Sequence, residues 1–366
     1  MKRFIIILLP IFYAFQSFAN MASPVLIGAL PGTVFSSRNV DILKEKLFIQ
    51  IRPDIQKALI RAEYHIKSDS VGKQIPLLFH AADYTDGFQL WVDGVPVNVL
   101  PVPAQYAEMP GNPMSLFSNA FIVSESLGEH RVSINWSNDE RKVYALSELH
   151  YVEVDWEQGE HIITVSYEAS AWENRSDWVS AYKFRYSLSP AKYWRSFGGL
   201  ELEISSPGIA ANFYSNLGNP MSGSWDKSAY WSFKEIPAEY IEINVFPHVS
   251  KFASILIQIG PGGMFYILSA ILVALHIMIL IKYRKANPLV RFSSVLIIGV
   301  FLVPLLAILG LNFSYSLIDV AIGMHAARFH GYFFLSIFLY PIILPFYGLF
   351  VWFIDWALKR RLKSKM

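Results

Sequence analysis

Apolar and polar residues follow two different patterns along this chain. Before about residue 250 they alternate singly. Leu200, Leu202 and Ile204 are separated by Glu201 and Glu203. Ala58, Ile60, Ala62, Tyr64 and Ile66 are separated by Leu59, Arg61, Glu63 and His65. Leu47, Ile49 and Ile51, then Ile163, Val165 and Tyr167, then Ile241, Ile243 and Val245, repeat the pattern. A period of two marks a strand with one buried and one wet face. Asp93-Gly94 lies between two apolar runs, and a two-residue type I′ turn needs positive φ at both positions, so it predicts a hairpin. Pro96 puts the following strand at a sheet edge. Short strands at close spacing, with no long 3.6-residue period among them, predict antiparallel β-sandwiches of the immunoglobulin-like type. The turn-rich stretch at 104–118 suggests a division into a first β-sandwich region at 20–118 and a second at 119–254, with one larger sandwich as the alternative.

Beyond residue 250 the alternation stops. Phe252 to Ile281, Phe292 to Ile318 and Gly331 to Ile354 contain no Asp, Glu, Lys or Arg. Uncharged apolar runs of this length cross a hydrocarbon core of roughly 30 Å. They predict three transmembrane helices at 255–283, 292–311 and 331–357. A cytoplasmic link at 284–291, a periplasmic loop at 312–330 and a basic tail at 358–366 complete the reading. Small residues such as Gly299, Ala307 and Gly310 allow close helix packing. Ile259-Gly260-Pro261-Gly262-Gly263 is either a hinge or the loop that starts the first helix.

The first nineteen residues have Lys2 and Arg3, an apolar stretch from Phe4 to Phe15, and Ser17-Phe18-Ala19 at a cleavage position. This reads as a secretory signal peptide. An uncleaved anchor is the alternative, but the apolar stretch is short for a span. Charge gives the orientation. Lys282, Arg284, Lys285 and Arg291 follow the first span, and Lys359, Arg360, Arg361, Lys363 and Lys365 follow the third. Positive residues mark the cytoplasmic side, which places the large domain outside, as the signal peptide also requires.

The net charge of +2 hides two opposite pieces. Residues 20–258 carry 19 Lys and Arg against 27 Asp and Glu, a balance of −8. The basic residues are helix-end topology markers, so a nucleic-acid partner is excluded. The chain has no cysteine. That removes disulfides, thiol nucleophiles and Cys-ligated metals, and it suits a bacterial periplasm.

No G-x-S-x-G, H-E-x-x-H or phosphate-loop motif occurs. The histidines are scattered. No catalytic residue, cofactor or metal is assigned, and the chain is read as a non-enzyme. The candidate site residues are of two kinds. Trp172 and Trp178 flank the polar segment Glu173-Asn174-Arg175-Ser176-Asp177, so they are read as loop tryptophans that bind a ligand or face the membrane. The alternating Tyr182, Phe184 and Tyr186 are read as core. Asp319, His325, Arg328 and His330 lie in the loop after the second span. They are read as a membrane-side interaction set, with Arg328 available to an acidic surface. Their histidines are five apart, which does not match a helical metal pair.

These features predict a bacterial inner-membrane protein with a large periplasmic domain and a cytoplasmic C-terminus. The expected function is a membrane-anchored binding or interaction module, a non-catalytic subunit or scaffold of an envelope complex. Its expected partners are the lipid bilayer and either another membrane or envelope protein or a second copy. The alternatives are a carbohydrate- or lipid-binding receptor and an envelope enzyme whose site the sequence does not reveal.

Overall fold

The computed structural model describes residues 40–69, 71–79, 84–100, 120–126, 129–137, 140–145, 150–188, 194–288, 290–328 and 330–363. The signal peptide and the turn-rich stretch at 104–118 lie outside them. The described chain divides into two compact units. A β unit takes residues 40–174 and 180–248, and a helical unit takes 175–179 and 249–363.

In chain order the strands are β1 (Val40–Ile51), β2 (Lys57–Ser68), β3 (Gly72–Phe79), β4 (Tyr84–Val92), β5 (Val95–Val97), β6 (Ala120–Ser126), β7 (Glu129–Ser137), β8 (Glu140–Ala145) and β9 (His150–Trp156). They continue as β10 (Gly159–Ser170), β11 (Trp172–Asn174), β12 (Ala181–Ser187), β13 (Ser196–Phe197), β14 (Leu200–Ser205), β15 (Ala211–Ser215), β16 (Ser222–Gly223), β17 (Ser228–Phe233) and β18 (Tyr240–Pro247). The main sheet has the order β16-β17-β14-β1-β2-β10-β4-β5, with β13 beside β1. A second sheet has the order β11-β12-β18-β15, and two small sheets pair β3 with β9 and β6-β7-β8.

The expected alternation is present. Leu47 and Ile49 of β1, Ile60 and Tyr64 of β2, Val165 of β10 and Leu202 of β14 are each at most 5% exposed. They share one core with Phe184 of β12 and Ile243 of β18 in the second sheet. Each such aliphatic burial contributes about 1.5–3 kcal/mol. The Asp93-Gly94 hairpin pairs Val92 with Val95, with φ of 50° and 80° at its two turn residues. Pro96 lies on the edge strand.

Two expectations need correction. β1 pairs in parallel with β13 and β14, so the main sheet is mixed rather than antiparallel. The chain reaches β14 only after passing through the second sheet at β12, so β14 arrives by a crossover and not by a hairpin. The split at 118/119 also fails as a sheet boundary. β2 from before it pairs along its length with β10 from after it.

The helical unit has α1 (Lys251–Ala286), α2 (Ser294–Ile322) and α3 (Tyr340–Lys363). Three segments, Lys251–Ala286, Ser294–His325 and Phe333–Leu362, are long and apolar enough to cross a membrane. α2 is longer than the expected 292–311, so the connection is shorter than 312–330. A 3-10 turn at Gly323–His325 and another at Phe333–Leu339 fill most of it. Ile259–Gly263 lies inside α1, where Gly260 leaves helical geometry at φ 65°. It is a kink next to Pro261, which cannot donate to the helical ladder.

Polar locks set the packing of this unit. Arg284 of α1 donates to both carboxylate oxygens of Asp355 in α3, at 2.5 and 2.8 Å. His276 Nε2–H donates to the Val295 carbonyl at 3.1 Å, which leaves Nδ1 to accept from the Tyr347 hydroxyl at 2.7 Å. Residues 276 and 284 on α1 meet 347 and 355 on α3 in the same order, so the two helices are parallel. Eight residues correspond to about 12 Å of helix. Lys359 on α3 donates to the Arg291 carbonyl at 2.7 Å. Both basic clusters therefore sit at one end of the unit.

Gly299 of α2 faces the His276 ring, and a Cβ there would overlap the imidazole. Gly299→Val is expected to lower the thermal stability of the detergent-solubilised protein by about 1–3 kcal/mol, as overpacking does. Gly348→Ala, with 3.4 Å to Val300, is the tolerated control.

Candidate functional site

Strand register brings side chains together that are scattered in sequence. On the wet face of the main sheet, Tyr230 pairs with Glu203, Glu203 with Phe48, and Phe48 with Arg61. The next row runs Ser232, Glu201, Lys46 and Glu63. The two rows cross β17, β14, β1 and β2. They line a cleft of about 640 Å³ whose β16 side carries Met221 and Ser222.

Lys46, Glu63, Glu201 and Glu203 of the cleft are each held by a neighbour. Lys46 contacts Glu63 at 3.0 Å, and Lys44 contacts Glu201 at 2.5 Å. The Tyr230 hydroxyl donates to Glu203 at 3.0 Å. Tyr230 is 41% exposed, an aromatic face open to solvent within a polar row.

A second polar group lies on the opposite, buried face. β1 carries a bulge between Ile42 and Lys44. Before it Val40 and Ile42 point inward, and after it the odd positions do, beginning with Glu45. A bulge inserts one residue and so reverses the facing of everything beyond it. Glu45 is 1% exposed. The Tyr186 hydroxyl donates to it at 2.9 Å, and the Tyr64 hydroxyl contacts that of Tyr186. Burial pushes the Glu45 carboxyl up to about 7, against the opposing pull of Tyr186 and Tyr64. Burial likewise raises both tyrosines, reinforced by Glu45. Glu45 and Tyr64 belong to one sheet and Tyr186 to the other, so this cluster ties the two sheets across the core.

The residues singled out from sequence fall in different places. Trp172 is the first residue of β11 and is 2% exposed, with the Arg185 guanidinium 5.1 Å above its ring. Its aromatic face is occupied from within the β unit. Arg185 itself is 4% exposed rather than on a wet face, held by Glu242 at 2.6 Å.

Trp178 lies in the five residues that belong to the helical unit. Its ring centroid is 4.7 Å from that of His330 and 5.7 Å from that of Tyr315. Its carbonyl accepts from the Ala327 N–H at 3.1 Å, and Val179 forms a bridge with Ala326. His330 Nε2–H donates to both carboxylate oxygens of Asp319 at 2.9 Å. So Trp178, Asp319 and His330 converge on one cluster. His325 ends the 3-10 turn, and Arg328 is exposed in the left-handed region at φ 56°. Sequence reasoning missed the cleft, because its rows exist only once strand order and register are set. Among the described residues, no group of three or more His, Asp or Glu is placed to hold a metal ion.

No family model matches the chain, and no curated protein sequence matches it. Solved structures resemble part of the chain distantly. A provisionally named nutrient binding protein of Legionella pneumophila is 12% identical with a TM-score of 0.39, covering 61% of this chain and 73% of its own. An M1 zinc metallopeptidase of Deinococcus radiodurans is 8% identical with a TM-score of 0.30, covering 58% and 43%. Native leukotriene A4 hydrolase of Saccharomyces cerevisiae is 11% identical with a TM-score of 0.32, covering 57% and 29%. The chain thus spans less than half of either enzyme. At these values the likeness carries no argument about activity.

Proposed function

We propose that the chain is a membrane-anchored binding module of a bacterial cell envelope. In this reading the β unit stands in the periplasm, the helical unit spans the inner membrane and the C-terminal tail is cytoplasmic. It acts as a non-catalytic subunit or scaffold that recognises an envelope component. The observation that carries this is the cleft on the wet face of the main sheet, since binding sites are concave and few per protein. Four of its charged side chains, Lys46, Glu63, Glu201 and Glu203, are each held by a neighbour, which favours recognition over adaptation.

The helical unit supports an anchoring role. Two polar groups inside it are answered from within by Arg284–Asp355 and His276–Tyr347, and Asn312 Nδ2 donates to Ser336 at 2.8 Å. Buried polar groups in a membrane otherwise seek a partner helix. Recognition is therefore assigned to the β unit. The basic residues gathered at one end of the helical unit support the orientation.

The test is crosslinking in living cells with full-length protein carrying benzoylphenylalanine at position 222 or 232. A discrete adduct is expected from both. None is expected from position 214, which lies on the exposed face of the second sheet. No adduct from the cleft, or equal adducts from all three, would overturn the assignment.

A further inference from the structure

The cleft's chemistry narrows its occupant, an inference that rests on the binding-module reading above. Lys46 and Arg61 stand against Glu63, Glu201 and Glu203 in the two rows that line it. A surplus of carboxylates over cations disfavours phosphate and other polyanions, which need clustered positive charge. An extended peptide adds to a sheet through unpaired backbone groups at an edge. Here β14, β1 and β2 are interior strands with both neighbours paired, and the edge strand beside the cleft, β16, is only two residues long, so the cleft offers side chains and very little free edge. An apolar metabolite needs an enclosed apolar pocket. This cleft has an open, charged floor.

What the rows do offer is an aromatic ring, a carboxylate, a second aromatic ring and a guanidinium in succession, as Tyr230, Glu203, Phe48 and Arg61. Tyr230 and Phe48 lie two strands apart, about 9–10 Å. The second row adds Ser232, Glu201, Lys46 and Glu63 beside them. Aromatic faces accept the C–H faces of sugar rings. The carboxylates and cations supply both acceptors and donors to hydroxyl groups. We propose that the cleft binds a neutral, hydroxyl-rich oligosaccharide laid across the strands, stacked on Tyr230 and Phe48 and hydrogen-bonded by Glu201, Glu203 and Arg61.

The test is calorimetric titration of purified full-length protein in detergent. The probes are maltohexaose, a hexamer of N-acetylglucosamine, an alginate hexamer as the anionic sugar, and an uncharged hexapeptide. One neutral hexasaccharide is expected to bind, with the alginate and the peptide weaker. Tyr230→Ala and Glu203→Gln are each expected to weaken that binding by about tenfold, the scale of one lost stack or hydrogen bond. Both residues lie on the wet face, and unchanged thermal unfolding identifies folded variants. Binding of neither neutral glycan overturns the proposal. So does binding that ignores both substitutions, or preferential binding of the alginate or the peptide. A protein adduct from position 222 or 232 together with no glycan binding would leave the binding module standing and remove only its glycan ligand.

Discussion

Asp355→Asn is expected to cost the helical unit about 3–5 kcal/mol, the scale for removing one partner of a buried ion pair. Arg284 is fully enclosed and its side chain has no contact with solvent, while Asp355 is 4% exposed. The guanidinium is held on three sides, by both Asp355 oxygens and by the Val290 carbonyl at 2.7 Å. Neutralising Asp355 strands a positive charge among helices, where desolvation is most expensive. The double substitution Arg284→Met with Asp355→Leu removes both charges and keeps the volume. It is expected to restore most of the stability, because well-packed apolar replacements of a buried pair are close to neutral. Thermal unfolding of the detergent-solubilised protein measures both. A double variant as unstable as the single one would show that the pair contributes by packing and not by charge.

Glu45 produces the second large effect, and its sign runs opposite to that of a surface carboxylate. Its folded value of about 7 lies above the ordinary 4.5. The folded state therefore holds a proton that the unfolded chain releases earlier. The contribution to stability is complete below pH 4.5, declines as pH rises, and is gone by about pH 7, a change of ~3 kcal/mol. Glu45→Gln keeps an acceptor for Tyr186 and cannot ionise. The stability of the variant relative to the native protein is expected to grow as pH rises from 5 to 7, with a higher unfolding temperature than the native protein at pH 8. Buried His150, held down to about 4, slopes the native profile the other way below pH 6.5, so the difference between variant and native protein is the readout, and a difference that does not change between pH 5 and 8 would contradict the burial of an ionisable Glu45.

The inward residues of β2, β10 and β14 were legible in the sequence because a half-buried strand writes its packing in alternate positions. The Asp93-Gly94 hairpin was legible because only a few residue pairs tolerate two positive φ angles. The bulge in β1 was not, since one inserted residue leaves no local mark. With it went the inward turn of Glu45. The parallel β1–β14 pairing was hidden because a crossover depends on where the intervening chain packs. In the helical unit, Gly299 and Gly310 were legible as close-packing positions. Asp355, beside Trp352 and Trp356, reads locally as an interfacial residue, and nothing local pairs it with Arg284. Trp178 likewise reads as a loop aromatic. Its meeting with His330 joins distant segments that only the folded chain brings together. The cleft depends on register across four strands, the information a single strand's pattern lacks.

A binding module held in the envelope needs its β unit outside the cell membrane and the α1–α2 link inside. The chain has no native cysteine, so one introduced thiol reports one position. Full-length Ser232→Cys and Lys285→Cys proteins would be exposed in intact cells, with the outer membrane permeabilised, to a membrane-impermeant maleimide. Position 232 is expected to label at once and position 285 only after lysis. Labelling of 285 with 232 protected would contradict the orientation and, with it, the role of the cleft in recognising an envelope component.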